Sequence, residues 1–142
     1  MTNPNRVREI IERHNARAVR FYAAGDADSI ASLFAEDGWQ MPPHLPALVG
    51  RRAIREFWHA AMQWGDWDFS LTTQSVEVGE PVAVERGKYV LRFEAGVGAP
   101  PGMKSFEDRG NYLVHWRNER GHWRVAADAP VSELPLPGPA SV

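Results

Sequence analysis

The spacing of the hydrophobic residues changes at Gly65, and this change limits the chain to few architectures. Before Gly65, apolar residues recur every three or four positions, as on one face of a helix. After Gly65, apolar and polar residues alternate, as in strands that bury one face. Helices followed by antiparallel strands predict an α+β domain.

Three helices are predicted in the first half of the chain. The first follows the Asn3–Pro4 cap and ends before Gly25, and Asp26 caps a short second helix. The third begins after Gly50. Between the second and the third, the Asp37–Gly38 pair predicts a turn, because glycine adopts positive φ without steric cost.

Two of the predicted strands carry a glycine in their interior. Gly87 lies within Val82–Ala95, and Gly110 lies within Phe106–Arg117. A glycine inside a strand is typical of a bulge or a sharp bend. The sequence therefore predicts a strongly bent sheet with the three helices on its concave side, and such an arrangement leaves room for a cavity.

The length of 142 residues predicts one domain, assigned here to residues 1–134, with a Pro-rich and loose tail at 135–142. The chain has no cysteine, which excludes a disulfide framework and a thiolate nucleophile. The formal charge of −2 provides no basic field for nucleic acid. No apolar run is long enough for a membrane span, and the N-terminus lacks an apolar signal core, so a cytoplasmic protein is predicted.

Metal and cofactor sites are not predicted. No two histidines have the spacing of metal ligands on one helix face. The chain also lacks a Gly-rich phosphate loop and a Ser-His-Asp signature. Chemistry, if present, would depend on carboxylates and histidines alone.

Three stretches carry a family resemblance that covers about residues 5 to 134. They are GDADSIASLFAEDGWQMPPHLPALVGRRAIREFW, VAVERGKYVLRF and EDRGNYLVHWRNERGHWRVAADAPVSELP. The chain resembles the SnoaL-like, ketosteroid isomerase-like branch of the nuclear-transport-factor-2-like superfamily. The resemblance implies a cone-shaped, cystatin-like fold, which also houses scytalone dehydratase, limonene epoxide hydrolase, polyketide cyclases and a kinase association domain.

Two positions depart from the ketosteroid isomerase pattern. The resemblance places Pro42 where that enzyme has its aspartate base and Ala18 where it has its tyrosine donor. Proline cannot accept the proton, and alanine cannot donate a hydrogen bond to a dienolate. We therefore predict that the ketosteroid isomerase mechanism is absent.

Asp108 is the preferred candidate for a catalytic base, because a carboxylate on an apolar wall has a raised pKa. The alternative is an aspartate at a strand entry that pairs with an arginine in solvent. Asp128 is a candidate polar contact for a ligand, although strand parity groups it with Arg124 and Ala126 and turns it away from the helices. A structural hydrogen bond or a subunit contact is the alternative for Asp128.

His44 lies in the Pro-flanked segment PPHLP, and its ordinary pKa near 6.5 suits proton transfer. A solvent-exposed loop histidine is the alternative. Trp and Met side chains suit an apolar ligand pocket, and they also suit a plain core. The predicted substrate-binding residues, besides Asp128, are Trp39, Met41, Trp58, Met62, Tyr89 and Tyr112.

Two hypotheses follow for function. The first is an isomerase, cyclase or hydratase that binds a small apolar or aromatic molecule. The second is a non-catalytic ligand-binding or association module. In both, a homodimer is predicted through the outer sheet face, where Val90, Leu113 and Ala126 lie among charged residues on one strand parity.

Overall fold

The computed structural model describes residues 3–135, so the predicted tail lies outside the described residues except for its first position. The elements in chain order are α1 (Pro4–Ala24), α2 (Ala27–Ser32), β1 (Phe34–Gln40), β2 (Leu48–Val49), α3 (Arg51–Ala61), β3 (Gly65–Gly79), β4 (Val82–Ala95), β5 (Phe106–Glu119) and β6 (His122–Ser132). The six strands form one sheet in the order β2-β1-β6-β5-β4-β3. The predicted α+β class is confirmed, and β1 pairs parallel to β6 while the other strand pairs are antiparallel.

The capping residues predicted for α1 and α2 lie at the ends of these helices. The Asn3 side chain accepts a hydrogen bond from the backbone N–H of Asn5 at 3.0 Å, and Gly25 ends α1 at φ 70°. The Asp26 side chain caps α2 through the N–H of Ser29. No helix within residues 3–135 combines the length and apolar character needed to cross a bilayer.

The two glycines predicted inside strands lie where neighbouring groups approach the backbone closely. A Cβ on Gly110 would lie 2.0 Å from the carbonyl oxygen of Val131, which shows how closely β6 approaches β5 there. Opposite Gly87, the predicted irregularity lies in the neighbouring strand, because the register of β3 shifts between Thr73 and Ser75. Both glycines therefore allow a neighbouring strand or ring to approach closely.

The turn predicted at Asp37–Gly38 is wrong. Both residues lie inside β1, which continues from Phe34 to Gln40. A Cβ on Gly38 would lie 2.8 Å from the carbonyl oxygen of Val125 in β6. The glycine is needed for this close approach between strands, and that need outweighs its local preference for a turn.

A β-bulge in β6 changes which side chains face the helices. Trp116 pairs with Val125 and His115 pairs with Ala127, so Ala126 has no partner in β5. One unpaired residue reverses the alternation of every side chain that follows it. As a result, Val125 and Asp128 lie on the same face of the sheet, and the parity that turned Asp128 away from the helices is wrong.

Candidate functional site

A pocket of about 430 Å³ lies on the concave side of the sheet. Residues of α1, α2 and α3 line it together with residues of the strands and of the loop that follows β1. Its wall is mainly aromatic. The Phe, Tyr and Trp residues that line it are Tyr22, Phe34, Phe57, Trp58, Trp67, Phe69, Tyr89, Phe106, Tyr112 and Trp116.

Six of the residues predicted for the site line this pocket. They are His44, Trp58, Tyr89, Asp108, Tyr112 and Asp128. Their roles in binding or catalysis stay predictions.

Trp39, Met41 and Met62 are not among the lining residues. Trp39 is 44% exposed and pairs with Ala127, whereas the next residue, Gln40, pairs with Asp128 and faces the pocket. Met62 follows the end of α3 and packs against the core. The predicted placement of these three side chains on the cavity wall is corrected accordingly.

Asp128 brings a carboxylate into this apolar environment. Its register partner in β5 is Val114, which also lines the pocket. Burial raises the pKa of Asp128 from its ordinary value to about 6. Its side chain receives one long hydrogen bond, from Nε2 of Gln40 to Oδ2 at 3.4 Å. A carboxylate with several lone-pair positions therefore keeps most of them unused.

Gln40 joins Asp128 to two aromatic residues. The indole N–H of Trp58 donates to Oε1 of Gln40 at 2.7 Å, and since an indole only donates, the amide oxygen must face Trp58. The amide nitrogen then faces Asp128 and the hydroxyl of Tyr22, to which it donates at 3.1 Å. Tyr22 accepts this bond, so its own hydroxyl proton remains available for another group.

Asp108, the preferred base in the sequence analysis, is held by two neighbours. The hydroxyl of Tyr89 donates to Oδ2 at 2.8 Å, and the hydroxyl of Ser132 donates to Oδ1 at 2.5 Å. Burial, and then the contact with Asp108, raise the pKa of Tyr89. Each oxygen of Asp108 thus accepts one hydrogen bond from the protein, and the carboxylate orients the hydroxyl of Tyr89 in the wall.

A fully buried carboxylate, Glu85, lies behind the pocket wall. Its Oε2 accepts hydrogen bonds from Asn15 at 2.8 Å, Thr73 at 2.8 Å and Tyr112 at 2.5 Å. Its Oε1 accepts from the indole N–H of Trp116 at 3.0 Å. Glu85 therefore fixes three pocket-lining side chains, those of Asn15, Tyr112 and Trp116.

His14 lines the pocket from α1, and its ring centroid lies 5.3 Å from that of Trp116. Within residues 3–135, its Nδ1 is the one buried side-chain nitrogen or oxygen without a hydrogen-bond partner. Burial, and then the charge of Arg17, lower the pKa of His14 from 6.5 to about 4. His14 is consequently a neutral ring at neutral pH.

Comparison with known proteins agrees with this architecture. The SnoaL-like domain model matches residues 15–126. The chain belongs to the SnoaL-like family. No curated protein matches this SnoaL-like domain.

Solved structures at low identity share the fold of this SnoaL-like domain. A nuclear transport factor 2-like superfamily protein from Salmonella enterica serovar Typhimurium is 15% identical with a TM-score of 0.77, and the match covers 99% of this chain and 97% of that one. A ketosteroid isomerase-like protein from Erwinia carotovora atroseptica is 17% identical with a TM-score of 0.74, over 89% and 96%. An NTF2-like protein with a cystatin-like fold from Novosphingobium aromaticivorans is 22% identical with a TM-score of 0.65, over 87% and 83%.

Pro42 and Ala18 both line the pocket of this SnoaL-like domain. Neither side chain carries a group that can accept or donate a proton. The predicted absence of a ketosteroid isomerase mechanism stays a prediction, and so does the absence of a metal and a cofactor.

The sequence analysis missed several polar residues of the site, among them Tyr22, Gln40 and Glu85. Glu85 alternates with Gly87 and Tyr89 on the inward face of β4, so strand parity alone indicates a buried acid. The apolar face of α1 contains Tyr22, whose hydroxyl was not considered as a site group. Gln40 was missed because Trp39 and Met41 were predicted on the cavity wall, and strand alternation turns the residue between them to the other face.

The titrations of Asp128 and His14 should have opposite effects on stability between about pH 4 and pH 6.5. The folded-state pKa of Asp128 is raised, so its contribution to stability is full below about pH 4 and is lost as the pH rises through about 6. The folded-state pKa of His14 is lowered, so its contribution is full above 6.5 and is lost as the pH falls to about 4. In the wild type the two contributions largely cancel.

Single variants should separate these two titrations. In D128N, the free energy of unfolding should fall by about 1–2 kcal/mol when the pH is lowered from about 7 to about 4.5, because only the His14 contribution then changes. This value allows for solvent screening of the partly exposed His14 ring. In H14Q, it should rise by a similar amount. Urea denaturation at both pH values measures the two slopes. Equal slopes in the two variants would contradict the assignment.

Proposed function

We propose that this SnoaL-like domain binds a small, largely apolar molecule and catalyses a proton transfer of the isomerase, cyclase or hydratase type. Asp128 is the proposed general base, in place of Asp108. The observation that carries the proposal is the carboxylate of Asp128 in an aromatic pocket, with one long hydrogen bond of 3.4 Å. A carboxylate in such surroundings is poorly solvated and correspondingly basic.

The pKa of Asp128, raised by burial to about 6, supports this role. A general base works best when its pKa lies near the working pH, since it is then both ionised and strongly basic. Near neutral pH, Asp128 is mostly the carboxylate and can accept a proton from a substrate C–H or O–H group. The resulting carboxylic acid can return the proton at a second carbon, or to a hydroxyl group that leaves as water.

Tyr22 is the proposed partner of Asp128 in this reaction. Gln40 donates to both Tyr22 and Asp128, which places the two groups side by side. When Asp128 removes a proton next to a carbonyl group, negative charge develops on the carbonyl oxygen. The hydroxyl of Tyr22 can donate a hydrogen bond to that oxygen. A donor placed where negative charge develops stabilises the transition state.

Hydrogen–deuterium exchange tests the proposal without knowledge of the natural substrate. Small cyclic ketones and aryl ketones are incubated with the protein in D₂O, and deuterium at the α-carbon is measured by mass spectrometry. The wild type should accelerate exchange for at least part of the series, and D128N should reduce that acceleration at least about a hundredfold. Exposed Asp68 gives the matched control D68N, which should keep it.

Equal exchange in D128N and the wild type would remove Asp128 from the reaction. No acceleration with any ketone, together with ligand binding, would favour the second hypothesis, a non-catalytic binding or association module.

The outer face of the sheet favours self-association in either case. Three apolar side chains are exposed there: Leu113 at 51%, Val131 at 63% and Val84 at 37%. Ala126, predicted on this face, is instead 6% exposed because it occupies the bulge. We propose that this face forms a homodimer in which each patch meets its own copy.

L113R should convert that dimer to a monomer, because a charge at the centre of an apolar interface is desolvated without a partner. Light scattering on dilute protein should give twice 15.9 kDa for the wild type and 15.9 kDa for the variant. The exposed Val97, in the loop between β4 and β5, provides the control V97R, which should remain dimeric. A monomeric wild type would exclude the proposed interface.

A further inference from the structure

We propose that the pocket selects a ligand that donates a hydrogen bond, through a hydroxyl or an ammonium group on an apolar ring body, and that it rejects anions. This inference rests on the proposed function, because it names the ligand class of the same site. It follows from three properties of the lining residues: their charge, the direction of their hydrogen bonds and their backbone.

The lining residues carry acids and no permanent cation. Glu107, Asp108 and Asp128 line the pocket, and none of the lining residues within the described chain is Lys or Arg. Burial keeps His14 neutral, with a pKa of about 4. The other lining histidine, His44, is exposed, so a bound carboxylate or phosphate would lose its water without gaining a buried cationic partner, which is strongly unfavourable.

Most hydrogen-bond donors on the wall are already used by the protein. Each of them donates to a protein oxygen rather than toward the pocket. Trp58 donates to Gln40, Trp67 to the carbonyl oxygen of Ala61, Tyr89 and Ser132 to Asp108, and Asn15, Tyr112 and Trp116 to Glu85. Among the described wall hydroxyls, that of Tyr22 alone retains a proton without a protein acceptor.

The backbone adds few donors at the mouth and on the β6 wall. Pro42 and Pro43 follow β1, Pro130 lies in β6 and Pro135 follows its end, and all four line the pocket. Proline has no backbone N–H, so these positions contribute acceptors alone. The hydrogen-bonding positions on the described part of the wall that still lack a partner are therefore mainly acceptors. Most of them belong to the carboxylate of Asp128.

Four compounds that share a naphthalene ring test the inference: 2-naphthol, 2-methoxynaphthalene, 2-naphthoate and 2-naphthylmethylammonium. The first two differ in one donated proton, and the last two report charge. Binding is followed near neutral pH by quenching of tryptophan fluorescence, because Trp58, Trp67 and Trp116 line the pocket. We expect 2-naphthol or the ammonium compound to bind about 10- to 100-fold more tightly than 2-methoxynaphthalene, and 2-naphthoate to bind more weakly than all of them.

Variants connect the preference to Asp128. D128N should reduce the ratio between 2-naphthol and 2-methoxynaphthalene to about threefold or less, since the amide is uncharged and presents donors of its own. D68N, which removes an exposed carboxylate from β3, should leave the ratio unchanged. The stronger binder of the hydroxyl and ammonium compounds identifies which donor the site prefers.

The outcomes separate this inference from the proposed function. Equal binding of 2-naphthol and 2-methoxynaphthalene would overturn the donor preference while leaving an apolar pocket that binds ligands. Tight binding of 2-naphthoate would overturn the rejection of anions. Binding of none of the four compounds would overturn both the inference and the ligand-binding function beneath it.

Discussion

E85A is expected to lower the free energy of unfolding by about 3–5 kcal/mol, the largest loss of any single substitution considered for this protein. Glu85 is fully buried and accepts four hydrogen bonds. Removing it takes away the acceptor of four donors, which belong to the side chains of Asn15, Thr73, Tyr112 and Trp116. Each buried donor without an acceptor costs about 1–3 kcal/mol before the neighbouring side chains rearrange.

E85Q and E77A test whether the loss of stability comes from the hydrogen-bond network of Glu85. Glutamine preserves the shape and one acceptor oxygen, so E85Q should cost about half as much as E85A. Glu77 is exposed in β3, and E77A should change stability by less than about 0.5 kcal/mol. Urea denaturation measures all three. A loss below about 1 kcal/mol in E85A would show that the four contacts do not support the pocket wall.

The second large effect is expected for G87A, with a loss of about 2–4 kcal/mol. A Cβ at this position would lie 2.2 Å from Cζ of Tyr112 and 2.6 Å from the backbone oxygen of Thr72. The ring of Tyr112 must therefore move away, which breaks its hydrogen bond to Glu85. The variant should lose both stability and the aromatic wall that Tyr112 provides.

Gly79 gives a matched control at the end of β3. A Cβ on Gly79 would meet nothing within 4 Å, so G79A should be neutral or slightly stabilising. Thermal unfolding of both variants, and ligand-induced quenching of fluorescence, measure the two effects. Equal melting temperatures for G87A and G79A would mean that the position of the Tyr112 ring does not require the absence of a Cβ at residue 87.

Much of the fold could be predicted from the sequence because it depends on local periodicity. The change of period at Gly65 indicated the α+β class, and the capping residues Asn3 and Asp26 marked helix starts. Gly87 and Gly110 marked points of close approach, since a glycine inside a strand commonly accompanies a bulge, a bend or a close backbone approach. These signals act over a few residues and can be recognised without tertiary contacts.

The polar part of the site was harder to predict, because it depends on strand register. Asp128 is predicted as a polar contact for a ligand although simple alternation turns it away from the helices, and the bulge at Ala126 reverses that alternation. Asp108 was favoured as a base, yet Tyr89 and Ser132 occupy its oxygens. Neither the bulge nor these contacts has a local sequence signature, since each is set by a neighbouring strand.

The bulge at Ala126 has a consequence for how such a pocket could diversify. The side chains of a strand have only two possible phases, and each residue added or removed exchanges the inner and outer sets that follow it. In β6 the segment before Ala126 carries core residues, and the segment after it carries Asp128. One inserted or deleted codon at this point could therefore place a carboxylate in the cavity or withdraw it, while Trp123 and Val125 stay in the core.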